Sequence, residues 1–262
     1  MTGRSEMTLL HQISAQVQDR LGICMGPHKE YLLASRLEKL QTQEGVDDLG
    51  IFLDDLTAGD HEALDALSRH MTTNHTYFFR EAEHFWFLRD QLIDQGTSRP
   101  RIWSAAGSSG EEAYSLAMVL AEAGLSESLI LVSDVNKDVL RTAHEGVYDS
   151  VRTSRVPPAL ARKYLVPHPK GFRMSETLRG QLRFQHLNLI QDWDLEAPLD
   201  AIFCRNVFIY FDEATISRVL DRLVASLKPG GWLFLGQTEG FHLPRGTRRV
   251  GSATYQKAGT PG

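Results

Sequence analysis

The chain has 262 residues, 42% of them hydrophobic, enough for one large domain or a small domain beside a medium one, each with a real core. A net charge of -5 and a pI of about 6.1 leave no basic excess to neutralise phosphates, so a nucleic-acid partner is not expected. Cys24 and Cys204 stand far apart without metal-site spacing and the ten histidines contain no H-E-x-x-H, which sets aside disulfide and metal chemistry and points to a reduced, cytoplasmic setting. Met1 to Leu10 carries no apolar signal-type run and no stretch is long enough to span a bilayer, so no membrane insertion is expected. Residues 8 to about 70 read as helices only. Leu9, Leu10, Ile13 and Val17 recur at helical spacing before Gly22 and Gly26-Pro27. Tyr31, Leu32, Leu33, Leu37 and Leu40 make a second stripe, Ile51, Phe52, Leu53 and Leu56 a third, and Leu64, Leu67 and Met71 a fourth, so a small helical bundle comes first. On the second helix Lys29, Arg36 and Lys39 form a basic stripe that Glu30 and Glu38 dilute, and a solvated face is the preferred reading.

Thr72 to Glu81 is unusual for a linker, because polar residues run straight into Tyr77-Phe78-Phe79 and then Arg80-Glu81. Two readings stand side by side. Either Asn74, Thr76 and Arg80 point into a cleft between the two parts of the chain, or Asn74 or Thr76 caps a helix and Arg80 joins a surface ion pair.

Ile102-Trp103 reads as a buried strand, Ala105 to Gly110 holds nothing bulky, and from Glu111 the spacing of Tyr114, Leu116, Ala117, Val119 and Leu120 predicts an amphipathic helix. Strand, small-residue turn and helix open a Rossmann-type unit, with Ala105, Gly107 and Gly110 in the places of a degraded G-x-G-x-x-G. A plain tight turn satisfies the same residues. Glu111 and Glu112 sharpen the choice: two carboxylates at a helix N-terminus would repel a pyrophosphate but suit a ligand bearing an ammonium and a sulfonium, which favours S-adenosylmethionine (SAM) over a nicotinamide dinucleotide. Leu129 to Ser133 predicts a second strand ending at Asp134, where such folds hold ribose hydroxyls; capping of the helix from Asn136 is the weaker alternative.

A Pro-interrupted helical segment follows from Val151 to Tyr164. Gly171 to Glu176 and Gln181 to His186 then alternate around Thr177 to Gly180, which predicts a β-hairpin whose second strand leads into the main sheet. Phe184 to Leu189 ends a strand near Asn188, Leu199 to Cys204 is a buried strand ending at Arg205-Asn206, and Ile216 to Leu227 is a helix stopped by Lys228-Pro229-Gly230-Gly231. Trp232 to Leu235 and Ala253 to Lys257 complete the strands. The carboxyl ends of these strands bring Gly107, Asp134, Asn188 and Asn206 together.

With these blocks in place the sequence resembles the CheR family of chemotaxis receptor glutamate methyltransferases. The matching stretches are Thr72-Thr73-Asn74-x-Thr76-x-Phe78-Phe79-Arg80-Glu81, Trp103 to Glu112, Ser133-Asp134, Asn188-Leu189, Phe203 to Phe211 and Leu227 to Gly231. The resemblance implies an α/β fold: a Rossmann-like class I SAM-dependent methyltransferase domain over residues 74–262, a small β-subdomain inserted at about 166–184, and an all-α domain over residues 1–73. It implies SAM contacts from Asn74, Thr76, Arg80, Glu111, Asp134, Asn188, Leu189, Arg205 and Asn206 and no metal. It also implies a monomer whose substrates are glutamates on the cytoplasmic domains of methyl-accepting chemotaxis receptors, some of which the β-subdomain holds by a tail peptide. A glutamate carboxylate is ionised at neutral pH and needs no general base, so the catalytic expectation falls on Arg80 to orient it and on Tyr210 to donate a hydrogen bond, or else on Tyr210 as a pocket wall. Two alternatives remain, a methyltransferase for a small acid or RNA and a non-catalytic SAM-binding interaction module. Cys204 is read as a core thiol, and Gly107-Ser-Ser-Gly110 lacks the pattern of a nucleophile elbow.

Overall fold

Helices α1 (Thr2–Leu21), α2 (Glu30–Glu44), α3 (Leu49–Ala58) and α4 (His61–Met71) form the first layer of the protein, seen in a computed structural model that describes residues 2–25, 30–195 and 198–259. Residues spaced three and four apart close one core: Ile13, Val17 and Leu21 of α1 meet Leu33, Leu37 and Leu40 of α2, with Phe52, Leu56, Leu67 and Met71 from the other two. Local chemistry sets the joints. Asp48 accepts from the Gly50 and Ile51 amides to start α3, Gly59 ends it in the left-handed region, and Asp60 caps α4 through the Ala63 amide. Tyr31 and Ile51, expected in the apolar stripes, instead face solvent at 76% and 63% exposure. Arg36 departs from the solvated-face reading too. It is half-buried, donates to the Met71 carbonyl and to Thr73 Oγ1 (the latter at 2.6 Å), and burial lowers its pKa. Gly26-Pro27 and Lys29 lie outside the described residues.

After α5 (Glu83–Asp94) the chain enters the sheet. Its strands are β1 (Arg101–Ala105), β2 (Leu129–Asp134), β6 (Leu182–His186), β7 (Leu199–Cys204), β8 (Leu227–Leu235), β9 (Thr247–Gly251) and β10 (Thr254–Lys257). They lie in the order β6-β2-β1-β7-β8-β10-β9, parallel from β6 to β8, with β10 antiparallel to both of its neighbours. Helices α6 (Glu111–Glu122), α7 (Lys137–Glu145) and α11 (Glu213–Ser226) link these strands. One face packs Ile102, Ile130 and Phe203 with α6; the other packs Trp103, Ile202 and Leu233 with α11. All six residues of β7 are buried, which is why the segment is apolar apart from Asp200, whose carboxylate is paired with Lys228.

Between α7 and β6 lie β3 (Val147–Tyr148), α8 (Ser150–Thr153), α9 (Pro158–Tyr164), β4 (Leu165–His168), β5 (Gly171–Met174) and α10 (Glu176–Arg179). The expected hairpin is re-paired. β5 runs antiparallel to β4 and to β3 in a separate three-stranded sheet, whereas Leu182–His186 lies parallel to β2 in the main sheet. The small sheet therefore occupies Val147–Met174 rather than 166–184. The Lys228–Gly231 segment bulges out of register between Leu199 and Ala201, with Gly230 at φ 77°.

Candidate active site

The strand order reverses between β1 and β7, whose last residues Ala105 and Cys204 are paired neighbours, and ligands in open α/β sheets bind beyond such a reversal. A cleft of about 910 Å³, open mouth included, lies there between the sheet rim and the helical layer. The two layers are tied around it. Tyr210 and Val135 pack on the helical core, the Cys24 amide donates to the Tyr210 carbonyl (2.8 Å), and Asn188 Nδ2 donates to the Arg20 carbonyl (2.6 Å).

The turn from β1 to α6 is built by close approach. A Cβ on Gly107 would come within 2.7 Å of Val132 and 2.8 Å of Ser104, and Gly110, at φ 92°, would meet Ala143 at 2.8 Å. Ala106 and Ser108, on either side of Gly107, also hold positive φ, as does Asn206 across the cleft, so strained backbone gathers where the ligand would lie. The Ser108 amide donates to Asp134 Oδ2 and the Asn136 amide to Oδ1, both at 2.9 Å. Asn136, not Asp134, caps α7, so the capping alternative for Asp134 does not hold. Burial pushes the Asp134 carboxyl above its ordinary range against the pull of these amides.

Of the residues singled out in the sequence, the cleft lining brings together Asn74, Thr76 and Arg80 from the linker, Asp134 from β2, and Asn188 and Leu189 beyond β6. Arg205, Asn206 and Tyr210 line it from beyond β7. Neither Asn74 nor Thr76 caps α5, whose N-cap is Ala82. Arg80 donates to the His75 carbonyl (3.2 Å), lies 5.7 Å from the Tyr77 ring centroid, and enters no ion pair among the described residues. Glu111 is not part of the lining. It is fully buried behind the turn, paired with Arg152 and accepting from Ser109 Oγ at 2.8 Å. Its neighbour Glu112 faces the cleft, where Oε1 accepts from Ser104 Oγ and Oε2 from Arg205 Nε, each at 2.6 Å. The Arg205 side chain acts as a strut, donating also to the Arg80 carbonyl (2.8 Å) and reaching His84 Nδ1 at 3.3 Å. Burial lowers the pKa of His84, whose Nε2 lies 3.0 Å from the Ser252 carbonyl.

Sequence reasoning missed Glu239. This buried carboxylate receives the Asn206 amide (2.7 Å) and the Gly236 amide (2.9 Å) on Oε2 and the Phe208 amide (2.7 Å) on Oε1, pinning the loop that carries Asn206 and Tyr210. Burial pushes its pKa up and the amides pull it down, burial being the larger effect. A glutamate in a Gly-Gln-Thr-Glu-Gly turn has no periodicity to mark it, and only its position just past β8 hinted at the rim.

The donor set fits SAM: a carboxylate beside Ser108 for ribose hydroxyls, a second at the α6 N-terminus for an ammonium, and apolar walls from Leu187, Leu189 and Phe211. Fold and cleft together define a Rossmann-like SAM-dependent methyltransferase. Residues 74–255 match the family model described as CheR methyltransferase, SAM binding domain, and residues 9–72 match that of CheR methyltransferase, all-alpha domain. The chain belongs to the CheR methyltransferase family. It is 36% identical to a chemotaxis protein methyltransferase of Escherichia coli (strain K12), with 97% of this chain and 93% of that protein aligned. It is 39% identical to chemotaxis protein methyltransferase 2 of Pseudomonas aeruginosa, over 98% and 96% of the two chains. Among the described residues no cluster suited to a metal ion occurs and no helix is long and apolar enough to cross a membrane.

Proposed function

We propose that this chain transfers the methyl group of SAM to side-chain glutamates of methyl-accepting chemotaxis receptors, giving glutamate methyl esters and S-adenosylhomocysteine in chemosensory adaptation. The observation that carries the reading is the guanidinium of Arg80, bonded to the His75 carbonyl but in no ion pair among the described residues, in a cleft whose other arginine, Arg205, is paired with Glu112. Donor contacts are assigned to Asn74, Thr76, Arg80, Asp134, Asn188, Leu189, Arg205 and Asn206, with Glu112 taking the place expected of Glu111. When bound, SAM supplies an electrophilic methyl carbon on a sulfonium. The chain's own residues hold and orient. Arg80 receives the acceptor carboxylate by a charge-assisted contact, the Tyr210 hydroxyl donates to it, and the apolar walls exclude water that would otherwise solvate the nucleophile. No proton has to be removed, because the carboxylate is already ionised at neutral pH.

On this reading the chain works as a cytoplasmic monomer. Its small sheet, with β4 as a free edge, offers a docking strand for a receptor tail peptide by strand addition. The test is methyl-labelled SAM incubated with receptor cytoplasmic fragments, followed by mild base. Label released as methanol marks a carboxyl ester and supports the reading; stable label on the product, or none, rejects it.

A further inference from the structure

Arg80, in the cleft lining, shares the Tyr77 ring with a second guanidinium that the reaction as described does not use. Arg155 lies between α8 and α9, where Asp149 caps α8 and Val156 is buried, so the backbone on both sides of it is anchored. Its side chain is exposed, yet the Arg155 Cζ stands 4.1 Å from the centroid of the Tyr77 ring, the ring whose centroid lies 5.7 Å from the Arg80 Cζ. One tyrosine thus gathers two cations that can be no more than about 10 Å apart, within a screening length at 0.1 M salt. Such a pair repels itself, and among the described residues neither member enters an ion pair. Other basic side chains here are neutralised in place: Arg152, three residues before Arg155, pairs with Glu111, and Arg205 of the cleft lining pairs with Glu112. In a chain of net charge -5, an uncompensated pair of guanidiniums gathered on one ring, one of them in the cleft lining, matches an anionic partner.

Resting on the functional reading above, we infer that Arg155, held on Tyr77, binds an acidic side chain of the acceptor protein that neighbours the glutamate presented to Arg80. The acceptor segment is therefore selected for an acidic flank and not only for its reacting carboxylate. Stacking on Tyr77 restricts a side chain that is otherwise free, so less rotamer entropy is lost when the partner arrives.

The experiment uses the full chain and Arg155→Gln, with a receptor cytoplasmic fragment whose target glutamate has acidic neighbours and with the same fragment carrying glutamine at those neighbours. For the acidic fragment the variant is expected to raise KM roughly threefold to tenfold, with the effect on KM rather than kcat and partial rescue in Arg155→Lys. For the neutral fragment parent and variant should coincide. Equal KM values on the acidic fragment, or an equal rise on both fragments, would overturn the inference. Fluorescence anisotropy of the labelled fragments with S-adenosylhomocysteine present reads the same contact without turnover. If the parent methylates neither fragment, the functional reading fails; in that case weaker binding of the acidic fragment to Arg155→Gln still supports the acidic-flank contact, and equal binding removes it. Methylation with unchanged KM and binding removes the inference alone.

Discussion

Replacing Glu239 by glutamine tests whether the far wall of the cleft depends on one buried carboxylate. Its two oxygens accept from Asn206 and Gly236 on one side and from Phe208 on the other, at 2.7, 2.9 and 2.7 Å. Glutamine can keep the oxygen that serves Asn206 and Gly236, but its amide group then faces the Phe208 N–H, leaving a buried donor unpaired at a cost of about 1–3 kcal/mol. The two surviving bonds lose their charge assistance, about 1 kcal/mol more, while relief from burying an ionised group offsets part of the loss. The net destabilisation is on the order of 2 kcal/mol, which lowers the melting temperature of the α/β domain by roughly 4–8 °C. Asn206 sits at φ 61° and its amide is held by Glu239, so S-adenosylhomocysteine affinity should fall as well, by about tenfold if the loop relaxes. Differential scanning calorimetry and ligand titration of Glu239→Gln beside Glu239→Ala read both quantities, with the larger loss expected for alanine. A melting temperature within about 1 °C of the parent, together with unchanged ligand affinity, would refute the clamp.

Three further predictions follow from the same contacts. Because burial raises the Asp134 pKa, the folded chain holds that proton more tightly than the unfolded one, so this group's contribution to stability is present at low pH and is lost as pH rises through the folded value. Donor affinity runs the other way: binding to the ionised carboxylate should weaken as pH falls through a point above the ordinary carboxylate range, and Asp134→Asn should bind weakly with that pH dependence gone, by calorimetry across pH. Arg80→Ala should slow single-turnover methyl transfer roughly tenfold to a hundredfold, as expected for the loss of a charge-assisted contact; unchanged chemistry with intact donor binding would remove Arg80 from the mechanism. Arg152→Ala leaves the fully buried Glu111 unpaired and should cost about 2–4 kcal/mol in chemical denaturation, with Glu111→Gln in the same chain restoring most of it.

Much of this architecture was legible in the sequence where burial is one-sided or complete. The segment Leu199 to Cys204, apolar but for Asp200, is a strand covered on both faces as its pattern predicts, and the small residues of the 105–110 turn leave the space that close backbone packing needs. The hairpin went astray because Leu182–His186 is an edge strand of a parallel sheet. With Arg183, Gln185 and His186 turned at least partly to water, it alternates just as a hairpin strand would, and only pairing with β2 separates the two. That Glu112 rather than Glu111 lines the cleft was not legible for a related reason. Adjacent helical residues point about 100° apart, and which one meets the cleft is decided by Arg152 and Arg205, dozens of residues away in the chain. Tyr31 and Ile51 fit helical stripes by spacing, yet their helices turn them outward. Arg36 looked solvated because its acceptors, the Met71 carbonyl and Thr73, come from a different helix end.

On the proposed reading the donor is held between the Asp134 and Glu112 carboxylates at the carboxyl rim of the sheet. Isothermal titration of the purified chain with S-adenosylhomocysteine addresses this most directly. One binding event per chain, strongly weakened by Asp134→Asn and by Glu112→Gln but not by a substitution at the exposed Tyr31, is the predicted result. Absence of heat with the parent, or an affinity in both cleft variants equal to that of the parent, would contradict it.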